Sequence, residues 1–301
     1  MTPEFRVKIF HWIYNENKHG IQRDSIPFQI KKLFARMQLK LRVSEETKDL
    51  TRSTFLINQG FQWDKKEVYV QHDIQELCRV LFDAIEASLS LEEENFINGL
   101  FEGETIHIVK CLVCNNESVR SDKFLDLSLP IRNEFLKICN KSLEMAFLNY
   151  LKPEYLGAGN EYKCENCAKK VWFLIIQVNA EKFLRFVKLP KILFIQLNRF
   201  EYDYISMDKK KIYDKLTYPE ILNMNKFFQN EFSKINDFFN PEMLKSLNER
   251  KIQNNQEEEI KSSMNEGNLV YELYAMLSHS GTANSGHYKA YIKSFENGIC
   301  L

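Results

Sequence analysis

No apolar run in these 301 residues approaches the roughly 20 that a membrane-spanning helix needs. Stretches such as FLII at 173–176 and ILF at 192–194 fall far short of it. Net charge is lacking too. The 41 basic and 41 acidic residues cancel, so no whole-chain field would gather nucleic acid or an anionic membrane, and neither is an expected partner. The opening MTPEFRVKIFHWIYNENK sets Glu4, Arg6 and Lys8 among its apolar positions and has no small-residue cleavage site, which argues against a secretory signal. No internal repeat stands out. These absences lead us to expect a soluble intracellular protein, cytoplasmic or nuclear.

What is present suffices for a folded core: 44% hydrophobic residues, 13% of the chain aromatic, over a length fit for one large domain or two smaller ones. Residues 1 to about 100 read as helix-rich. Their clearest segment is QHDIQELCRVLFDAIEASL at 71–89, where Ile74, Leu77, Cys78, Leu81, Ile85 and Leu89 recur at three- and four-residue steps. From about 101 the period changes to strand-like alternation in TIHIVK (105–110), KFLDLSLPI (123–131), EYKC (161–164) and ILFIQLNRF (192–200), with a helix expected over KSLEMAFLNYL (141–151). Residues 223–268, rich in Asn, Lys, Glu and Gln, read as a polar surface insert. Strands resume at LVYELYAMLSHS (269–280) and YKAYIKSF (288–295).

Cysteines are few and patterned. The seven are Cys78, Cys111, Cys114, Cys139, Cys164, Cys167 and Cys300, and four of them form the pairs CLVC (111–114) and CENC (164–167). An odd count with paired C-x-x-C knuckles fits metal binding in a reducing compartment better than a disulfide framework. Two knuckles at strand tips can converge four thiolates on one structural zinc, a closed tetrahedral site with no position left for catalysis. The other reading is two unliganded thiol pairs capping hairpins. Their separation exceeds the usual zinc-ribbon spacing, so the intervening segments must fold back to join them.

One further stretch asks for chemistry: HSGTANSGHYKAYIK, 279–293. Small residues before His287 would let a ligand approach the backbone. By itself His287 reads either as a half-buried structural residue or as a proton acceptor.

The motifs QHDIQELCRVLFDAIE, CLVC, CENC, FLDLSLPI, LPKILFIQLNRFEYD and YELYAMLSHSGTANSGHYKAYIK stand in an order that resembles the ubiquitin-specific proteases, the large family of cysteine deubiquitinases. The resemblance covers nearly the whole chain apart from the polar insert. It implies a papain-like α+β domain of thumb, palm and fingers, with residues 1–100 a helical thumb-like part, 101–190 zinc-bearing fingers, and 191–222 with 269–301 the palm. Ubiquitin and ubiquitinated proteins are the partners it implies. It makes His287 the general base, places His279 and Tyr288 along the channel for the ubiquitin tail, and sets Asp73 and Glu76 against arginines of that tail. Three apart on a helix, those two acids share a face.

The sequence departs from the family pattern at Ser285, where a glycine is usual, and at Asn198, where a lysine is usual. The larger departure concerns the nucleophile. The family's cysteine motif comes before the residues that MTPEFR resembles, and its orienting Asp or Asn lies in a stretch after the histidine strand, where this chain reads ENGICL. Cys78 falls on the apolar stripe of its helix, Cys139 in an unrelated segment, Cys300 beside the last residue, and the other four belong to the zinc reading. The expectation is therefore a catalytic domain incomplete at both ends, inactive alone, whose nucleophile is none of these seven cysteines.

Overall fold

The helix-rich first third owes much of its order to apolar residues spaced along one side of its longer helices. The computed structural model of the chain describes residues 2–39, 47–57, 74–88, 96–132, 139–168, 177–228, 269–283 and 285–293. Contacts divide the chain into two units, Met1–Leu100 and Phe101–Leu301. The first contains α1 (Pro3–His11), α2 (Glu16–His19), α3 (Ile26–Leu39), α4 (Lys48–Ile57) and α5 (Ile74–Ser88), and α6 (Phe96–Phe101) runs to its border. Pro3 sits in the first turn of α1, where its missing N–H costs no helix bond. Helix α3 packs against α1, α4 and α5. Ile9, Trp12, Ile26, Ile30, Ile85 and Ile97 are buried, and Phe5 stacks on Phe96 with centroids 5.7 Å apart.

In α5 the exposed positions are Glu76, Arg79, Asp83 and Ala87, while Ile85 is buried. Exposure recurring at three- and four-residue steps is the complement of the apolar stripe read from the sequence. The helix spans Ile74–Ser88; residues 71–73, Asp73 among them, lie outside the described residues.

The second unit is built on an antiparallel sheet. Its strands include β1 (Gly103–Cys111), β2 (Glu117–Phe124), β3 (Leu127–Pro130), β4 (Glu154–Leu156), β5 (Tyr162–Lys163), β6 (Gln177–Val178) and β7 (Ala180–Lys188), with α7 (Leu143–Leu151) and the short α8 (Glu165–Ala168) between them. The main sheet runs β2-β1-β7-β4. Beyond it follow β8 (Ile195–Asn198), β9 (Phe200–Asp203), β10 (Asp208–Lys211), β11 (Ile221–Asn223), β12 (Val270–Glu272), β13 (Ala275–Gly281) and β14 (Gly286–Ile292).

Helix α7 packs on β3 and β7. Ser142 caps it by accepting a hydrogen bond from the Met145 N–H at 3.2 Å. Its Leu143, Ala146, Phe147, Leu148 and Leu151 are buried in one core with Leu127, Leu129, Ile131 and Phe186. Full burial of a side chain such as Phe147 contributes roughly 1.5–3 kcal/mol. Asn140, buried in the same region, donates to the Pro130 carbonyl at 2.7 Å and accepts from Asn149, so its polar atoms are satisfied.

Three segments differ from their sequence expectations. The stretch 123–131 is two strands: β2 ends at Phe124, and β3 begins at Leu127 and pairs in parallel with β8 instead. The stretch 192–200 is broken at Arg199, whose amide turns back onto the Leu197 carbonyl at 2.7 Å and whose guanidinium donates to the carbonyls of Ile212 and Asp214 at 3.1 and 3.0 Å. Periodicity cannot register that capture of main-chain carbonyls. The polar stretch from 223 also begins with core: Met224 and Phe227 are buried, and Phe227 stacks on Phe147 at 5.1 Å. Residues 229–268 lie outside the described residues.

Candidate functional site

The two cysteine knuckles meet through a nearly shared strand. Strand β1 pairs with β7 up to Cys111 opposite Ala180, and β5 pairs with β6 through Tyr162–Val178 and Lys163–Gln177. Only Asn179 separates β6 from β7, and its carbonyl accepts the Leu112 N–H at 3.0 Å. The turn after β1 and the turn after β5 are therefore delivered to the same end of the sheet.

There the four sulfur atoms lie within 4.8 Å of one another. Cys111 Sγ is 3.7 Å from Cys167 Sγ, and Cys114 Sγ is 3.6 Å from Cys164 Sγ, well beyond the roughly 2.05 Å of a disulfide. The N–H groups of Val113 and Cys114 both donate to Cys111 Sγ at 3.4 Å, the kind of support that orients a metal-binding thiolate. The backbone of Asn116, then the side chain of Asn166, hold the Cys114 thiol down to about 6. Cys167 is pushed up to about 12, by Cys114 first and by burial next. Sulfurs this close resist sharing negative charge until a cation stands among them. A set of four cysteines this close could hold a metal ion.

The histidine stretch forms a hairpin. Strands β13 and β14 pair antiparallel with His279 opposite Tyr288, Ser280 opposite His287, and Gly281 opposite Gly286. Alternation along a strand puts His279 and Tyr288 on one face and His287, which is exposed, on the other. The two rings of the first pair are 4.8 Å apart, and the edge of Phe200 meets His279 at 5.3 Å.

Glycine is required where the ladder ends. A Cβ on Gly286 would stand 2.3 Å from His279 Nε2 and 2.2 Å from the Ser280 carbonyl oxygen, and Gly281 has φ of 118°. Thr282 closes the turn by donating its amide to the Ser285 carbonyl at 2.8 Å, and Ser285 returns its own amide to the Thr282 hydroxyl at 3.2 Å. Ser285 is thus a turn residue.

Two residues overlooked by the sequence reading hold this hairpin. Lys211, the last residue of β10, places its ammonium 3.0 Å from His279 Nδ1, 2.9 Å from the His279 carbonyl oxygen and 3.1 Å from the Gly281 carbonyl oxygen. The Tyr213 hydroxyl donates to the same Gly281 carbonyl at 3.2 Å. Nothing in DKKKIY marks one lysine among three, and the contact spans 68 residues of sequence. Burial, reinforced by the Lys211 charge, holds His279 below its usual titration range. Burial and Arg199 lower Lys211 in turn.

Of the remaining expected site residues, Glu76 is exposed in the first turn of α5, in the first unit. Cys78 is half-buried on the same helix, and Cys139 bridges to Arg132. Cys300 lies outside the described residues. Among the described residues no helix is long and apolar enough to cross a membrane.

The chain thus combines mixed helix and strand with a histidine-bearing hairpin and a four-cysteine cluster. A family model described as ubiquitin carboxyl-terminal hydrolase matches residues 1–299, and the chain belongs to that family, with its papain-like α+β fold. It is 35% identical over 99% of its length to ubiquitin carboxyl-terminal hydrolase 47 of Drosophila melanogaster, covering 20% of that protein. Against ubiquitin carboxyl-terminal hydrolase 47 of Homo sapiens it is 36% identical over 99% of its length, covering 22%. Against ubiquitin carboxyl-terminal hydrolase 15 of Saccharomyces cerevisiae it is 29% identical over 96% of its length, covering 20%. The chain thus spans about a fifth of the length of these relatives.

Proposed function

We propose that these residues form part of the catalytic domain of a cysteine-type deubiquitinase, which hydrolyses the isopeptide or peptide bond at the carboxyl-terminal glycine of ubiquitin. His287 is the general base: it accepts the proton of a cysteine thiol, the thiolate attacks the glycine carbonyl, and the imidazolium returns the proton to the leaving amine. The observation that supports this reading is the hairpin, which sets His279 opposite Tyr288 and Ser280 opposite exposed His287, with Gly286 letting the His279 ring lie against the backbone. Asp73 and Glu76 meet arginines of the tail, and ubiquitin and ubiquitinated proteins are the partners.

The thiol that His287 serves is none of the seven cysteines in this sequence. Four are gathered within 4.8 Å of one another, Cys78 is half-buried on α5, Cys139 is tied beside Arg132, and Cys300 lies outside the described residues. The four-cysteine set holds one structural zinc. Tetrahedral zinc with sulfur at about 2.3 Å requires sulfur–sulfur edges near 3.8 Å, close to the 3.7 and 3.6 Å found between the facing pairs. The zinc pins the fingers, 101–190, while 1–100 supply the thumb-like part and 191–222 with 269–301 the palm. Reduced thiolates of this kind suit the cytoplasm or nucleus.

The accounting of cysteines also favours a second reading, a ubiquitin-binding relative without catalysis or a zinc-stabilised interaction module. A ubiquitin probe with an electrophilic carboxyl end separates these ideas. The 301-residue chain should bind ubiquitin yet stay unlabelled, and protein expressed from the complete reading frame should be labelled. Labelling of any of the seven cysteines would overturn the assignment of the nucleophile, and a complete protein that binds without labelling would select the second reading.

A further inference from the structure

Alternation along β14 puts His287, Lys289 and Tyr291 on one face of the hairpin, with Ser280, Ser278 and Met276 opposite them on β13. The Ser280 hydroxyl donates to the His287 carbonyl at 3.2 Å, fastening that pair across the ladder. Lys289 is exposed two residues beyond His287, about 7 Å along the strand. The strands AMLSHSG and GHYKAYI contain no carboxylate, and Lys289 is their one lysine or arginine. Among the described residues it has no ion-pair or hydrogen-bond partner. The next cation on this side, Lys293, stands about 13 Å further on, beyond a Debye length at physiological salt. It is already held by Glu220 at 3.0 Å and Glu272 at 2.5 Å.

We propose that Lys289 is a specificity-determining residue that selects ubiquitin conjugates whose modified lysine is flanked by acidic residues. The inference rests on reading His287 as the general base. An imidazolium that returns its proton to the leaving amine must face that amine, so the conjugated protein enters on the His287 face. Residues on either side of the modified lysine then pass close to Lys289. An ammonium with no carboxylate in its own hairpin attracts Asp or Glu there and repels Lys or Arg. Its three donors on a flexible stem can meet a carboxylate at several positions, so the preference is for charge and not for one sequence. Ubiquitin itself is common to every conjugate, and only the leaving side can distinguish one from another.

Three conjugates test this, each with ubiquitin joined by an isopeptide bond to the single lysine of a short peptide that has Glu, Gln or Arg on both sides of it. The enzyme is protein expressed from the complete reading frame. Wild type should cleave the Glu conjugate about fivefold faster in kcat/KM than the Gln conjugate and the Arg conjugate slowest, with the spread lying in KM and shrinking as salt is added. Lys289→Gln should erase the spread, Lys289→Arg should keep it and Lys289→Glu should reverse its order. Each ratio is taken within one protein, so a partly unfolded variant does not distort it. Equal cleavage of the three conjugates by wild type, or an unchanged order in Lys289→Glu, overturns the proposal while leaving the deubiquitinase reading intact. Cleavage of none of them by wild type overturns the deubiquitinase reading and this proposal with it.

Discussion

The sulfur atoms of Cys111 and Cys167 lie 3.7 Å apart although 56 residues separate them in sequence. The pairing of β1 with β7 and of β5 with β6 brings them together, and neither knuckle would meet the other without both ladders. If zinc closes this cluster, metal analysis of the purified chain should find about one zinc per chain, and Cys164→Ser should lose it together with much of the stability of the fingers. Structural zinc in small domains binds with roughly 10–16 kcal/mol of apparent free energy, and protons compete for the thiolates, so acidification should release the ion. Zinc well below one equivalent, or full retention in Cys164→Ser, contradicts the assignment.

Gly286 lies under the His279 ring. Gly286→Ala would press a methyl to 2.3 Å from His279 Nε2 and 2.2 Å from the Ser280 carbonyl oxygen. The expected cost is about 1–3 kcal/mol of stability from overpacking. Because the displaced group is His279, affinity for ubiquitin should fall more than affinity for tail-shortened ubiquitin. Denaturant midpoints and titration calorimetry check both parts; equal stability of Gly286→Ala and wild type would contradict the geometry.

Stability should respond to pH in two stages. The folded His279 titrates below its unfolded value of about 6.5, so below that value the unfolded chain binds the extra proton. Its contribution is fully present above about pH 6.5 and is lost as pH falls through the folded value. Asp214 is lowered chiefly by its hydrogen bond from Arg132; its contribution is present above the unfolded value of about 3.9 and is lost at still lower pH. Urea midpoints between pH 8 and 4 should therefore begin to fall near pH 6.5. In Lys211→Met that first fall should shrink without vanishing, because burial is the larger cause at His279. A first fall of the same size in the variant would count against the Lys211 contribution.

Asp73 and Glu76 are proposed to meet arginines of the ubiquitin tail, and Glu76 is exposed in the first turn of α5. Exposed charge pairs contribute about 0.2–1 kcal/mol each. Asp73→Asn combined with Glu76→Gln should weaken ubiquitin binding by roughly fivefold at low salt, with the difference shrinking as salt screens it. An unchanged affinity and salt dependence would remove these acids from the interface.

How far the sequence could be read varied with the range of the interaction. Helix α7 was legible as a helical segment over 141–151, as was the amphipathic character of α5, because those signals are local. The C-x-x-C pairs announced the meeting of their four cysteines, since two knuckles of one residue type are rare by chance. The break at Arg199 and the burial of Met224 and Phe227 were not legible, for each depends on partners distant in sequence. Lys211 was hidden for the same reason: its environment is made by main-chain carbonyls 68 and 70 residues away. The role of His287 came from motif resemblance alone.

That role is the central claim, and the most direct measurement is hydrolysis of a ubiquitin–fluorophore conjugate by protein expressed from the complete reading frame, with and without His287→Gln. Loss of a general base should lower kcat/KM by about 100- to 10,000-fold while ubiquitin affinity is held. A His287→Gln protein that hydrolyses the conjugate as fast as wild type would contradict the account.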